Sequence, residues 1–291
     1  MTLRAVALCC ALAPGLALAV SEDEARAAHD KKDYPACAEA YGQLASTSAV
    51  DDQPTHLQHR AGCLALGGKV DDALTVVEQS AALDAEVTEA MKQDADLVSL
   101  RALPRWLTVM KQADAQLSAA RKTQNVALAK ELITMADRDH SARQGLGKQG
   151  LLDITSAAFE VEKQNTRRLK QVLAKYGWPG RKLVGKRGAR AAWLLAQHSG
   201  NDLPFLEKCL ALMQAAKDDV SPMGVAYLED LVRVMQGKQQ RYGTMFGPGD
   251  DEFELMPIDD VEHVDERRRA MGLGPLAQQP RPTSSNFMLG P

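Results

Sequence analysis

The chain lacks any apolar run of the roughly eighteen residues that a membrane-spanning helix requires, so the sequence excludes an integral membrane protein. It also lacks an excess of positive charge. Lys and Arg number 35 against 38 Asp and Glu, for a formal net charge of -3, and without a global basic field a nucleic-acid role is not expected. Aromatic residues are scarce at 4%. Ten of the three Trp, five Tyr and five Phe lie beyond residue 150, which puts the bulkier core in the second half. Complete catalytic and metal motifs are missing as well. The run "QRYGTMF" (240–246) has one glycine, no lysine at the required place and no helix after it, so it is not a phosphate-binding loop. No cofactor and no metal is expected.

What is present is a composition of 45% hydrophobic and 25% charged residues in 291 positions, ordinary for a soluble globular protein with room for two domains. The first nineteen residues read as a signal peptide: Arg4, the apolar core "AVALCCALA", a Pro-Gly break, then Ala17 and Ala19 in the A-x-A pattern read by signal peptidase. Cleavage is expected after Ala19, leaving a periplasmic or secreted chain. Cys9 and Cys10 come too early for a lipoprotein anchor. Of five cysteines, Cys37, Cys63 and Cys209 would remain in the mature chain, and an oxidising compartment permits a pair.

Two Ala-rich segments can be overlaid. In "KKDYPACAEAYGQLA" and "GGKVDDALTVVEQSA", Tyr34, Cys37, Tyr41 and Leu44 fall opposite Val70, Ala73, Val77 and Ser80. Small and bulky residues thus alternate on one face, as a helix packed in a hairpin needs. The pattern resembles the second helix of a tetratricopeptide repeat, and "HRAGCLALGGKVDDAL" resembles the whole unit. A further stretch, "DADLVSLRALPRWLTVMK", resembles the closing element of such arrays, with Asp94 or Asp96 as a cap and Pro104 opening a helix. Residues 20–118 are therefore expected to form a repeat domain whose concave surface takes a protein or peptide partner. Cys37 and Cys63 fall on neighbouring helices of that stack, so a disulfide is expected between them. Cys209 is then a buried, inert thiol.

Beyond residue 125, helices are expected at 125–144, 152–176, 189–199, 202–217, 222–237 and 260–271, from stops and caps such as Asn201-Asp202, Ser221-Pro222, Gly237 and Gly272. Two strand-like runs around Gly-Pro-Gly-Asp predict one small β-hairpin. The tail, 277–291, has little to bury and is expected to be disordered. The fold class is mainly α, with helical hairpins followed by a compact α-helical domain carrying that hairpin.

The stretches "DRDHSAR", "NTRRLKQVLAKYGWPGRKLVG", "AAWLLAQHSGND", "AYLEDLVRVMQGKQQRYGT" and "PIDDVEHVDERRRAMGLGPL", in that order across 125–276, resemble a bacterial family of domains of unknown function usually found in exported proteins. The resemblance marks polar or glycine positions at Asp139, Arg143, Gln197, His198, Asp230, Gly237, Gln240, Tyr242, Gly243, Thr244 and Arg268. It implies no particular reaction. Two departures stand out: Leu231 where the family has arginine, and Met245 where it has glutamine.

His198 shares a helical face with Leu194 and Leu195. It reads either as a packed last-turn residue or as a general acid–base oriented by Asp230 or Asp202, with Tyr242 and Thr244 supplying hydroxyls. Asp139, Arg143, Gln197, Gln240 and Arg268 are the binding candidates. Asp230 reads as a buried ion pair with His198 or Arg268, or as an i,i+3 pair with Arg233. His56, His59 and Cys63 share one helix face, but three ligands on one helix rarely close a metal shell. The basic run "DERRRA" (265–270) reads as a solvated helix end. Two functions follow: a partner-binding scaffold or a hydrolase-like enzyme around His198, Asp230, Tyr242 and Thr244.

Overall fold

The computed structural model describes residues 20–48, 51–144, 151–200, 202–248 and 253–279, without the side chains of 144 and 151–157. The expected signal peptide, Asn201, the Gly249-Asp250 turn and the tail from 280 lie outside the described residues. The protein is mainly α, with one small hairpin. Its buried apolar residues fall into two clusters, one running from Ala25 to Met110 and the other from Leu128 to Leu273.

In the first cluster, helices α1 (Glu22–Asp30), α2 (Tyr34–Thr47), α3 (Gln53–Leu66) and α4 (Val70–Leu83) each pack on the next. Ser21 and Glu24 form a reciprocal capping box that starts α1, and Asp33 caps α2. Ala25, Cys37, Ala61 and Ala73 are fully buried, so small side chains let these helices approach closely. Cys37 and Cys63 are joined by a disulfide, which ties α2 to α3. His56 and His59 serve the packing: His56 Nε2 lies 2.9 Å from Glu22 of α1, and the His59 ring packs on Tyr41 at 5.0 Å between centroids. A short helix, α5 (Val87–Met91), follows, then a 3-10 turn (Ala95–Leu100) capped by Asp94, and α6 (Pro104–Arg121), opened by its proline.

The second cluster is built from α7 (Val126–Gln144), α8 (Leu151–Tyr176), α9 (Arg181–Gln197), α10 (Leu203–Ala215) and α11 (Pro222–Met235). Trp193 sits at its centre; its indole N–H donates to the carbonyl of Gly224 at 2.9 Å, and Tyr227 meets it edge-on. A Cβ at Gly224 would stand 3.1 Å from the indole ring, a tight contact that the ring would have to ease. Helix α9 begins eight residues earlier than the 189–199 expected from sequence. It is broken at Gly185, whose φ of 72° interrupts the helix before it restarts. The hairpin exists but is shorter than expected: β1 (Phe246–Pro248) pairs antiparallel with β2 (Phe253–Leu255). Residues 241–244 are not strand, because the backbone N–H groups of Arg241, Tyr242 and Thr244 go to the buried carboxylate of Asp230 instead; Gln240 forms an isolated bridge with Ile258. The last helix, α12 (Val264–Ala270), is also shorter than expected, with a 3-10 turn before it. No helix among the described residues is long and apolar enough to cross a membrane.

Polar contacts join the halves. Glu86 accepts from the backbone N–H groups of Lys186 and Arg187 at 2.7 and 3.0 Å. Arg181 reaches Asp51 at 2.9 Å, and Lys186 reaches Asp84 at 3.3 Å.

Candidate functional site

The polar residues singled out in the sequence fall into two separate groups. The larger is organised by Asp230, on α11 and fully buried. Its carboxylate accepts from the backbone N–H groups of Arg241 (2.6 Å), Tyr242 (3.1 Å) and Thr244 (3.1 Å), and from the Thr244 hydroxyl (2.9 Å). This corrects the ion-pair expectation. Asp230 is satisfied by a loop that folds its donors inward, while Arg233 pairs with Asp259 at 3.1 Å.

Gln240, also fully buried, does the same for the next residues. Its amide donates to the carbonyls of Met245 and Met256, and its oxygen accepts from the Met245 N–H at 2.7 Å. Arg268, 2% exposed, donates to the carbonyls of Tyr242 and Gly274 and to the Gln279 side chain. Burial pushes its guanidinium below the usual arginine range. Gln279 in turn donates to the Tyr227 hydroxyl at 3.1 Å, so the chain is fixed at least this far into the expected tail. Gly243, with φ 71°, lies where a Cβ would meet Leu276 at 2.4 Å. Gly237, also left-handed at φ 71°, ends α11. The run at 265–270 is a solvated end only in part, with Asp265, Glu266, Arg269 and Ala270 exposed. Arg268 is interior, and Arg267 donates to the carbonyls of Arg241, Asp259 and Asp260.

The hydroxyl of Tyr242 faces Glu229 at 3.4 Å, and burial raises its pKa. Asp230, Gln240, Tyr242, Thr244 and Arg268 are therefore one buried knot that folds the 240–245 loop. The two family departures fit this. Leu231 packs against the larger apolar cluster, and at Met245 the knot uses only the backbone.

The smaller group lies where α7, α8 and the end of α9 meet. His198 is the C-terminal cap of α9, and its Nδ1 is hydrogen-bonded to Asp139 of α7. It bonds neither Asp230 nor Asp202; the latter caps α10 and pairs with Lys170. Asp139 also accepts from Arg143 Nε at 3.0 Å, and Arg143 reaches Glu162 of α8 at 3.2 Å. Burial opposes charge on Asp139, but the hydrogen bonds and charges of His198 and Arg143 together hold its carboxyl below the usual carboxylate range. Thr166 and Ser199 share a hydroxyl bond at 2.8 Å, and Ser199 donates to the Leu195 carbonyl. Gln197 is half-buried beside His198.

Sequence reasoning named Asp139 and Arg143 but did not join them to His198. It missed Glu162, Asn165, Thr166 and Ser199. The Asp139–Arg143 spacing of i,i+4 was a usable signal; the reach across helices was not.

A family model matches residues 126–288, more than half of the chain; its description is a family of unknown function, DUF6624. The chain belongs to this family. In this DUF6624 protein the match extends beyond residue 276, where the sequence resemblance ended, in keeping with the bonds Gln279 makes to Arg268 and Tyr227. No curated protein and no solved structure matches the chain.

Proposed function

We propose that this is an exported protein, periplasmic or secreted after removal of residues 1–19, whose tetratricopeptide-like repeat domain (20–118) binds a protein or peptide partner. The DUF6624 region then acts as the second, more rigid body of the scaffold. The observation that carries the reading is the Cys37–Cys63 bridge across consecutive packed helices. Such a bridge persists in an oxidising compartment and keeps a helical surface in a fixed shape for a partner. The alternative, a hydrolase-like enzyme that uses His198, Asp230, Tyr242 and Thr244 as one site, draws no support from the geometry, because the four do not meet. Three of the four belong to the buried knot, and His198 is bonded elsewhere.

Two measurements test this. Mass spectrometry of the protein expressed with its own N-terminus is expected to give a chain starting at Val20 with Cys37 and Cys63 linked; a full-length chain with free thiols overturns export. Photo-cross-linking residues at the exposed positions Arg26 (α1) and His59 (α3) are expected to give a discrete adduct in cells. A probe at exposed Glu266 on α12 is expected to give none. No adduct, or the same adduct from Glu266, overturns partner binding through the repeats.

A further inference from the structure

We propose that the Asp139–His198 pair is a general-base site for hydrolysis of a small, uncharged acyl ester, with water as the attacking group.

The geometry starts at Asp139, whose carboxylate is 1% exposed and holds Nδ1 of a histidine that is 11% exposed. A carboxylate at Nδ1 fixes the tautomer with its proton on that nitrogen and leaves the lone pair on Nε2. It also stabilises the imidazolium formed when Nε2 takes a proton. Asp139 and Glu162 are acidic, Arg143 is the cation that bridges them, and a neutral imidazole leaves the group at a net charge of about -1. Protonation of His198 neutralises it. An anionic substrate would be repelled, so the acyl group is uncharged.

A second, independent observation points to an oxygen-bearing ligand. The side-chain N–H₂ of Asn165 is buried with no hydrogen-bond partner, in a residue only 5% exposed. Asn165 lies one helical turn from Glu162, which reaches Arg143, and next to Thr166, which reaches Ser199. It therefore shares the face of α8 that meets α7 and the end of α9. An orphaned buried donor costs about 1–3 kcal/mol. A substrate carbonyl would relieve that cost, and the donor would strengthen as the oxygen becomes an oxyanion.

The attacking group is water because the side-chain nucleophiles beside the pair are occupied. The Ser199 proton goes to Leu195 and the Thr166 proton to Ser199. In the step itself, Nε2 takes one proton from water as the water oxygen bonds to the acyl carbon. The acyl–oxygen bond then breaks, and the imidazolium returns its proton to the departing alkoxide. Ester and water become acid and alcohol, and His198 ends neutral.

The test uses the disulfide-bonded mature chain with p-nitrophenyl acetate as probe, between about pH 5 and 9. Hydrolysis by the wild type is expected to exceed that by free imidazole at equal concentration. His198→Gln is expected to lose at least about 10²-fold. Asp139→Asn is expected to lower kcat with little change in KM, because Asp139 is a positioning residue that acts through His198. A wild-type rate no higher than that of His198→Gln, or of free imidazole at equal concentration, overturns the proposal. Should the variants unfold, carbethoxylation of the wild type by diethylpyrocarbonate decides. Esterase activity is expected to fall in step with modification of His198 and return with hydroxylamine; activity that survives modified His198 overturns the proposal. Neither result bears on cross-linking through the repeats.

Discussion

Glu86, in the N-terminal half, caps a helix of the C-terminal half: its two carboxylate oxygens accept from the backbone N–H groups of Lys186 and Arg187, just after α9 breaks at Gly185. A restarting helix has orphan N–H groups, and here the cap comes from 100 residues away in sequence. Removing it by Glu86→Ala is expected to cost about 1 kcal/mol, the usual worth of a helix cap. Gly185→Ala is expected to cost at least as much, since φ is 72° and a Cβ would stand 2.8 Å from the Glu86 carboxylate. Part of that contact vanishes in the double variant. Urea titration of the two single variants and the double is therefore expected to show a combined loss smaller than the sum. Strict additivity would mean that the halves do not meet in this way.

The Asp230 knot makes a sharper demand on stability. All its contacts are donors directed at a carboxylate, so an amide cannot replace it: one oxygen would become an N–H₂ group facing N–H groups. Asp230→Asn is expected to be nearly as damaging as Asp230→Ala, each costing roughly 3 kcal/mol or more, as buried donors are stranded. Thr244→Val removes one hydroxyl bond to a charged group, expected to cost about 1.5–3 kcal/mol. Guanidinium denaturation checks the order. An Asp230→Asn variant as stable as wild type would remove the knot from the account of this loop.

These two relationships mark the limit of what the sequence made legible. Helix periodicity, Pro and Gly stops, and Ser and Asp caps gave the α class and most helix positions. Cys37 and Cys63 could be paired because the expected helical hairpins put them on neighbouring helices, and the structure joins them. The Gly185 break and the early start of α9 were hidden. The stretch that restarts after Gly185 is capped by Glu86, and no local pattern encodes a cap supplied from another part of the chain. The candidate site was half legible. Asp230, Gln240, Tyr242, Thr244 and Arg268 all stood at positions the family resemblance marked, yet residue type alone could not show that they hold the fold of this loop. His198 was read with Asp230 or Asp202 as its orienting partner, whereas the structure bonds it to Asp139. Asp139 is 59 positions away on α7, and nothing in the local sequence ranks it above Asp202 or Asp230.

The cysteines should respond in opposite ways to thiol chemistry. The bridge closes a separation of 26 residues, which corresponds to about 3.5 kcal/mol in the chain-entropy picture. Cys37→Ala/Cys63→Ala is expected to lose up to that much by denaturant titration. In the native wild type, Cys209 is fully buried and its thiol is raised to about 12 by burial, so iodoacetamide labelling is expected to be negligible until the chain unfolds. Rapid labelling of folded protein at pH near 8 would show that α10 opens readily.

Acid sensitivity should trace in part to Asp139. His198 and Arg143 hold its folded pKa below the unfolded value despite burial. A carboxyl depressed in the folded state contributes stability above the unfolded carboxylate pKa, and that stability fades as pH falls through the folded one. The wild type is therefore expected to exceed Asp139→Asn in denaturant resistance at about pH 7, with the gap narrowing as pH drops below the carboxylate range. His198→Gln leaves Arg143 in place, so the acid limb should keep part of its slope in that variant. A gap between wild type and Asp139→Asn that does not change with pH would mean that the aspartate acts through shape alone, and that neither the imidazole nor the guanidinium interacts with its charge.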